Sequence, residues 1–125
     1  MKNFRVMYLR DRNNHPVGCV AIKINGSFHR NASVSVEYQV SVLNPQDNFE
    51  RKMARLLALG RLVESPFSVK VDNRDGEIGM HTISKAVMNE ITHNLNIPTR
   101  AKKAAGLWLK KNVAHADLAS YGGGF

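Results

Sequence analysis

Apolar residues recur at every second position before residue 44 and at helical spacing after it. This change limits the possible folds more than any other feature of the sequence. Residues 33–43 alternate: the apolar set is Val34, Val36, Tyr38, Val40 and Val42, and the polar set is Ser35, Glu37, Gln39 and Ser41. Such alternation predicts a strand with one buried face and one solvated face. The chain therefore combines a sheet with at least one helix.

The first helix is predicted by the stretch "NPQDNFERKMARLLALGRL", residues 44–62. Either Asn44 with Pro45 or a capping box of Asp47 and Glu50 begins it, and it ends before Pro66. Its apolar residues recur at i, i+4, i+7, i+8 and i+11, and they are Phe49, Met53, Leu56, Leu57 and Gly60. This spacing predicts that these five residues pack on the sheet. The solvent side then carries Arg51, Lys52 and Arg55.

Three further stretches are predicted to be strands because β-branched and aromatic residues dominate them: residues 3–10, 17–25 and 67–71. The turn residues of "RNNHPVG" and "NGSFHRNA" favour an antiparallel meander of the first three strands. A second amphipathic helix starts near Met80 and includes Leu95, and a third runs from Thr99 to about Asn112.

These elements predict an α+β fold. We expect an antiparallel three- to four-stranded sheet with one face covered by about three helices, in the order β-β-β-α-β-α-α. Residues 1–116 are predicted to form a single domain. Residues 117–125, which contain three consecutive glycines, are predicted to form a flexible C-terminal tail.

The net charge of +8 is unevenly distributed and favours a polyanionic partner. Residues 1–44 hold six basic and two acidic side chains, and residues 45–90 hold seven of each. Residues 91–116 hold five basic side chains and no acidic one. The excess positive charge thus lies toward the two ends of the chain.

The third helix is the strongest functional lead. We predict that its basic residues and those near the N-terminal turns form one surface that contacts the phosphates of DNA or RNA. The predicted contacts are Arg100, Lys102, Lys103, Lys110, Lys111, Arg10, Arg12 and Arg30. A docked helix with a solvated charged face explains the same pattern. A helix-turn-helix formed by the last two helices, and base stacking on a sheet that presents Tyr8, Arg10 and Lys23, are further alternatives.

No residue pattern specifies a reaction, so we expect a protein that is not an enzyme and needs no cofactor. The five histidines are scattered without a metal-binding spacing, and no metal site is predicted. Cys19 is the single cysteine and lies in an apolar run, which predicts a buried strand residue. A cytoplasmic location is expected, because no disulfide, signal-peptide pattern or membrane-spanning apolar run is found.

The stretch at residues 44–62 also carries a resemblance. Following an alternating strand, it is similar to a pattern of small uncharacterised proteins encoded by phages and other mobile elements; the residues that carry it are Asn44, Pro45, Asp47, Phe49, Arg51, Lys52, Arg55, Ala58, Gly60, Arg61 and Leu62. The resemblance implies an origin in such a genome, whose proteins often bind nucleic acid or block a host or defence complex.

Two functions are therefore predicted. The first is a small basic nucleic-acid-binding protein, and the alternative is a protein-binding inhibitor or adaptor, for example an anti-defence factor that docks on a host protein. A homodimer is also among the expected assemblies, and no membrane partner is expected.

Overall fold

The structure, a computed structural model, describes residues 4–25, 33–42, 50–72 and 80–120. Four strands and three helices follow one another as β1 Phe4–Arg10, β2 Pro16–Asn25, β3 Ser33–Val42, α1 Arg51–Glu64, β4 Phe67–Asp72, α2 Met80–His93 and α3 Thr99–Ser120. The strands form an antiparallel sheet in the order β1-β2-β3-β4. The predicted α+β class and element order are confirmed.

Both faces of the central strand β2 are buried. Val20 pairs with Met7 of β1 and with Val40 of β3, and these residues belong to the main hydrophobic cluster together with α2 and α3. The neighbouring residues Cys19 and Ala21 point to the other face, where they pack against α1. The sheet is therefore covered by α2 and α3 on one side and by α1 on the other.

This arrangement differs from the expectation that all helices cover one face. The reason lies in β2, whose residues 17–22 are all buried. A strand that is apolar at consecutive positions is typical of a sheet covered on both faces. The alternation of β3 alone suggested a solvated face, but α1 contacts polar side chains of that face.

The helix α1 packs on the sheet through small residues. Its buried positions are Ala54, Ala58 and Leu62. The Ser41 hydroxyl donates to the Ala54 carbonyl oxygen at 2.8 Å, and the Gln39 side-chain amide donates to the Ser65 carbonyl oxygen at 2.8 Å. Because these bonds join β3 directly to the helix backbone, the helix lies close to the sheet, where only small side chains fit between them.

The predicted packing face of α1 is wrong. Met53, Leu56 and Leu57 are 52%, 56% and 48% exposed, and a Cβ at Gly60 would meet nothing within 4 Å. The fifth predicted residue, Phe49, lies outside the described residues. The predicted exposure of Arg51, Lys52 and Arg55 is confirmed. Large apolar and basic side chains thus share the solvent side of this helix.

The helix ends agree only partly with the sequence signals. The helix α1 ends at Glu64 before Pro66, as predicted, and its N-cap Glu50 makes no side-chain capping bond. The other predicted start residues, Asn44, Pro45 and Asp47, lie outside the described residues.

Differences also occur in the last two helices. Leu95, predicted on the apolar face of α2, is 90% exposed, and Ile97 is buried in its place. The helix α3 continues past Asn112 to Ser120. Residues 121–125, the larger part of the predicted tail, lie outside the described residues.

Candidate nucleic-acid interface

The turn between β1 and β2 is fixed by the side chain of Asp11. One of its carboxylate oxygens accepts hydrogen bonds from the backbone N–H groups of Asn13 and His15, each at 2.9 Å. The Asn14 backbone adopts a φ of 66°, a left-handed conformation that asparagine tolerates better than most residues. The Arg10 guanidinium donates to the Asn14 carbonyl oxygen at 3.1 Å. These bonds hold Arg12 at the tip of an ordered turn.

The surroundings of the Asp11 carboxyl lower its pKa. The hydrogen bond from the His15 N–H is the largest cause of its lowered pKa, and the Asn13 N–H and the charge of Arg100 act in the same direction. The effect of Arg100 places the start of α3 within electrostatic range of this turn, although the two segments are far apart in the sequence.

A cleft separates this turn from α3, and positive side chains outnumber negative ones in its lining. Its volume is about 610 Å³, and it is lined by Asp11, Arg12, Val17, Arg100, Lys103, Ala104, Gly106, Leu107 and Lys110. Four lining residues are cations and one is a carboxylate. We call it the basic cleft. Its charges come from both ends of the chain that the sequence identified as basic.

A smaller groove adjoins the basic cleft. It has a volume of about 240 Å³ and is lined by Tyr8, Arg10, Asp11, Asn14, Ala104, Leu107, Trp108 and Lys111. The two depressions share Asp11, Ala104 and Leu107. The groove therefore extends the positive surface from Arg12 and Lys110 to Arg10 and Lys111.

The helical repeat explains which cations of α3 reach the cleft. With about 100° per residue, Arg100, Lys103, Lys110 and Lys111 fall on one side of the helix. The adjoining side carries Ala101, Ala104 and Ala105, which are buried and let α3 pack closely on the protein. Lys102 lies about 200° around the helix from Arg100 and lines neither depression.

Six of the eight predicted contact residues thus lie around one continuous depression. They are Arg10, Arg12, Arg100, Lys103, Lys110 and Lys111. Lys102 lies apart from them, and Arg30 lies outside the described residues. Asp11, Leu107 and Trp108 also line the site and were not predicted, because a single acid in a turn and two apolar residues of a helix give no signal of this kind.

The aromatic residues of β1 are engaged within the protein. Phe4 and Tyr8 pack against the cluster under α1. The Arg51 guanidinium lies 5.5 Å from the Tyr8 ring centre, and the Lys23 ammonium lies 5.8 Å from that of Phe4. These cations occupy ring faces that a stacking platform would offer to bases.

The helices α2 and α3 pack against each other and against the sheet, joined by residues 94–98. In a DNA-reading helix-turn-helix, the start of the second helix enters a groove of the duplex. Here Arg100 and Lys103 instead line a concave cleft opposite the β1–β2 turn. The β1–β2 turn thus lies opposite the start of α3, an arrangement that differs from the free reading helix of a helix-turn-helix.

The thiol of Cys19 is fully buried. Burial raises its pKa to about 11, so the thiol stays protonated near neutral pH and is a poor nucleophile. Within the part of the chain that the structure describes, no group of three His, Cys, Asp or Glu side chains is placed to hold a metal ion. In the same part, no helix is both long and apolar enough to cross a membrane.

Comparison of the chain with protein-family models, with curated proteins and with solved structures gives no match. The resemblance of residues 44–62 to proteins of phages and mobile elements therefore stays a prediction. The function has to be argued from the geometry of the basic cleft.

Proposed function

We propose that this chain is a small, non-enzymatic protein that binds nucleic acid through the basic cleft. The observation that supports this function best is the convergence of cations from the two ends of the chain. Arg12 from the β1–β2 turn and Arg100, Lys103 and Lys110 from α3 line the same cleft. Arg10 and Lys111 continue the same surface in the adjoining groove.

The arrangement suits a chain of phosphates better than a single small anion. The cations are spread along about three turns of α3, from Arg100 to Lys111, which at 1.5 Å per residue is roughly 16 Å. Phosphates are spaced a few ångströms apart along a nucleic-acid strand, so several can be contacted at once. Each cation that neutralises a phosphate releases condensed counterions, and this release favours binding at low salt.

A plain solvated helix face is the competing explanation. Charges on such a face are usually mixed in sign and directed away from the protein. In the basic cleft the cations of α3 face a second basic segment across a depression, and Asp11 is the one acid among the lining residues. Gathering like charges in this way costs electrostatic free energy in the isolated protein, and an anionic ligand offsets that cost.

The proposal is tested by fluorescence-anisotropy titration against labelled single-stranded DNA, duplex DNA and RNA. We expect the affinity to fall steeply as salt is raised from low to near-physiological concentration. The variant Lys103→Gln/Lys110→Gln removes two cleft cations and is expected to weaken binding by about 10- to 30-fold near physiological salt, because each lost phosphate contact removes close to one released counterion. The slope of log affinity against log salt should become shallower by about 2.

A matched control separates the cleft from general surface charge. The variant Lys52→Gln/Lys70→Gln changes the net charge equally, and both lysines are exposed outside the cleft. It should leave the affinity within about threefold of the unmodified protein, since long-range effects are screened beyond about 8 Å at physiological salt. Equal losses in both variants would contradict a role for the basic cleft.

A partner of another class would give a different result. If the cleft receives an acidic protein surface, pull-down from host lysate should give a stoichiometric complex that survives nuclease treatment. Weak binding to all three nucleic acids that vanishes near physiological salt, together with such a complex, would replace the nucleic-acid proposal by the inhibitor or adaptor alternative.

The carboxylate of Asp11 gives a second test of the same site. We expect Asp11→Asn to raise the affinity for nucleic acid by about two- to fivefold at low salt, because it removes a negative charge that faces the phosphates. The asparagine oxygen can still accept the hydrogen bonds from Asn13 and His15, so the turn is kept. Anisotropy titration measures the change, and an unchanged or lower affinity would argue against phosphates near Asp11.

A further inference from the structure

The solvent side of α1 carries an apolar ridge. This ridge consists of Met53, Leu56, Leu57, Gly60 and Val63, and we call it the α1 ridge. Its residues span an arc of about 120° around the helix. It lies on the side opposite the buried positions Ala54, Ala58 and Leu62. The helix thus has two apolar sides, and described residues of the protein cover only the one with the small side chains.

The ridge is large for a chain of this size. Besides the half-exposed Met53, Leu56 and Leu57, it includes Val63, which is 77% exposed. Together these side chains present apolar surface on the order of 400 Å², comparable with the largest patch on typical monomers, which is often functional. Contiguous exposure of this kind marks an interaction surface more often than single exposed leucines do.

We propose that the α1 ridge is covered by the α1 ridge of a second copy of this chain, in an antiparallel helix pair. A twofold axis that passes between Leu56 and Leu57 sets each of these leucines against its own counterpart in the partner copy. The same register sets Met53 of one copy over Gly60 of the other. Space above Gly60 is open, since a Cβ there would meet nothing within 4 Å, and a glycine lets a long side chain approach the helix backbone.

The charges at the two ends of the ridge favour the antiparallel direction. Glu50, Arg51 and Lys52 are exposed at the N-terminal end of α1, and Arg61 and Glu64 are exposed at its C-terminal end. Antiparallel packing places the net positive N-terminal end of each copy against the neutral C-terminal end of the other, whereas parallel packing places the two positive ends together. Interactions between exposed charges contribute little free energy, so they set the direction of the pair while apolar contact supplies the affinity.

The area is sufficient for a weak dimer. Two ridges contribute on the order of 800 Å² of apolar surface, and interface cores of homodimers are about 65% apolar. The total buried area is then roughly 1,200 Å², the lower end of specific interfaces. Each copy carries a charge of +8, and the resulting repulsion opposes association. A dissociation constant in the micromolar range, about 1–50 µM, is the expected result.

The dimer is independent of the proposed nucleic-acid function. The helix α1 packs on the face of the sheet opposite α2 and α3, and α3 lines the basic cleft. The ridge and the cleft therefore lie on opposite sides of the protein. Screening weakens the repulsion between two positive copies, so raised salt should maintain or strengthen the dimer while it weakens nucleic-acid binding.

Sedimentation equilibrium of the purified full chain, free of nucleic acid, tests the proposal between about 1 and 100 µM protein. The average mass should rise with concentration from 14.0 kDa toward twice that value. The variant Leu56→Gln/Leu57→Gln should raise the dissociation constant at least tenfold. The control Leu95→Gln changes a leucine that is 90% exposed outside the ridge and should behave as the unmodified chain.

Three results would overturn the proposal. The first is an average mass that stays at the value of one copy up to about 100 µM protein. This result would overturn the proposal even if a different partner covers the ridge. The second is an unchanged dimer in the Leu56→Gln/Leu57→Gln variant with native circular dichroism. The third is loss of the dimer at raised salt, which would indicate association through charge.

A cross-link tests the geometry. The variant Leu57→Cys should form a disulfide-linked dimer under mild oxidation, while the control Leu95→Cys should not, since Leu57 lies beside the proposed axis and Leu95 lies outside the ridge. The native thiol of Cys19 is buried and does not take part. A dimer that forms without this cross-link would contradict the antiparallel ridge contact.

Discussion

Replacement of Gly18 by alanine is expected to lower the free energy of unfolding by about 3 kcal/mol. Gly18 lies in the central strand β2, opposite Val42 of β3. A Cβ at this position would collide with the backbone carbonyl oxygen of Ser41. A backbone atom inside a sheet cannot rotate away as a side chain can, so β2 and β3 would have to separate locally and lose ladder hydrogen bonds.

Urea denaturation followed by fluorescence of Trp108, the single tryptophan, measures this effect. The control is Gly106→Ala in α3, where a Cβ would meet nothing within 4 Å. Alanine inside a helix is favoured over glycine, so this control should raise the free energy of unfolding by about 0.5–1 kcal/mol. A Gly18→Ala variant as stable as the control would show that the two strands are not so closely spaced.

The second large effect is expected for Ala58→Leu. Ala58 is fully buried where α1 packs against the small residues Cys19 and Ala21 of β2. A leucine there would push α1 away from the sheet and stretch the hydrogen bond between the Ser41 hydroxyl and the Ala54 carbonyl oxygen. Overpacking of this kind lowers the free energy of unfolding by about 2–3 kcal/mol.

Leu57→Ala is the matched control for Ala58→Leu, because the hydrophobic pattern alone would reverse their order. Leu57 is half exposed, so its truncation should cost less than about 1 kcal/mol. Both variants are compared by urea denaturation at low protein concentration, where no dimer contributes. A larger loss for Leu57→Ala than for Ala58→Leu would mean that the leucines, and not the alanines, pack on the sheet.

The sequence predicted the strands well because each strand has local signals. Alternation in β3 and turn residues before β2 and β3 depend only on neighbouring positions, and the structure places the strand ends within one residue of the prediction. The end of α1 before Pro66 was predicted for the same reason: proline restricts the residue that precedes it.

The packing face of α1 could not be predicted in this way. Helical spacing reveals an apolar side, but it does not reveal whether that side meets the sheet or solvent. Larger side chains dominate the pattern, and here they form the exposed ridge, while Ala54 and Ala58 are buried. The deciding contacts are hydrogen bonds from Gln39 and Ser41 to the helix backbone, which depend on how the helix and sheet come together.

The candidate site was predicted in composition but not in geometry. Uneven charge along the chain identified the cations near both ends. Their convergence depends on the docking of α3 beside the β1–β2 turn, a contact between residues about ninety positions apart in the chain. Lys102 lies apart from the other cations of α3 because the buried alanines fix the rotation of the helix about its axis. The helical repeat then places Lys102 outside the cleft.

Positive charge has a further role at the two edges of the sheet. The outer strands β1 and β4 carry exposed cations, Arg5 and Lys70. An unpaired strand edge can act as a template for aggregation with another molecule, and charged side chains, lysine above all, discourage such pairing. Arg5 and Lys70 therefore disfavour open-ended strand-to-strand assembly, because they place like charges on both outer strands. The proposed pairing of two α1 ridges uses a helical surface instead, where association can close on itself.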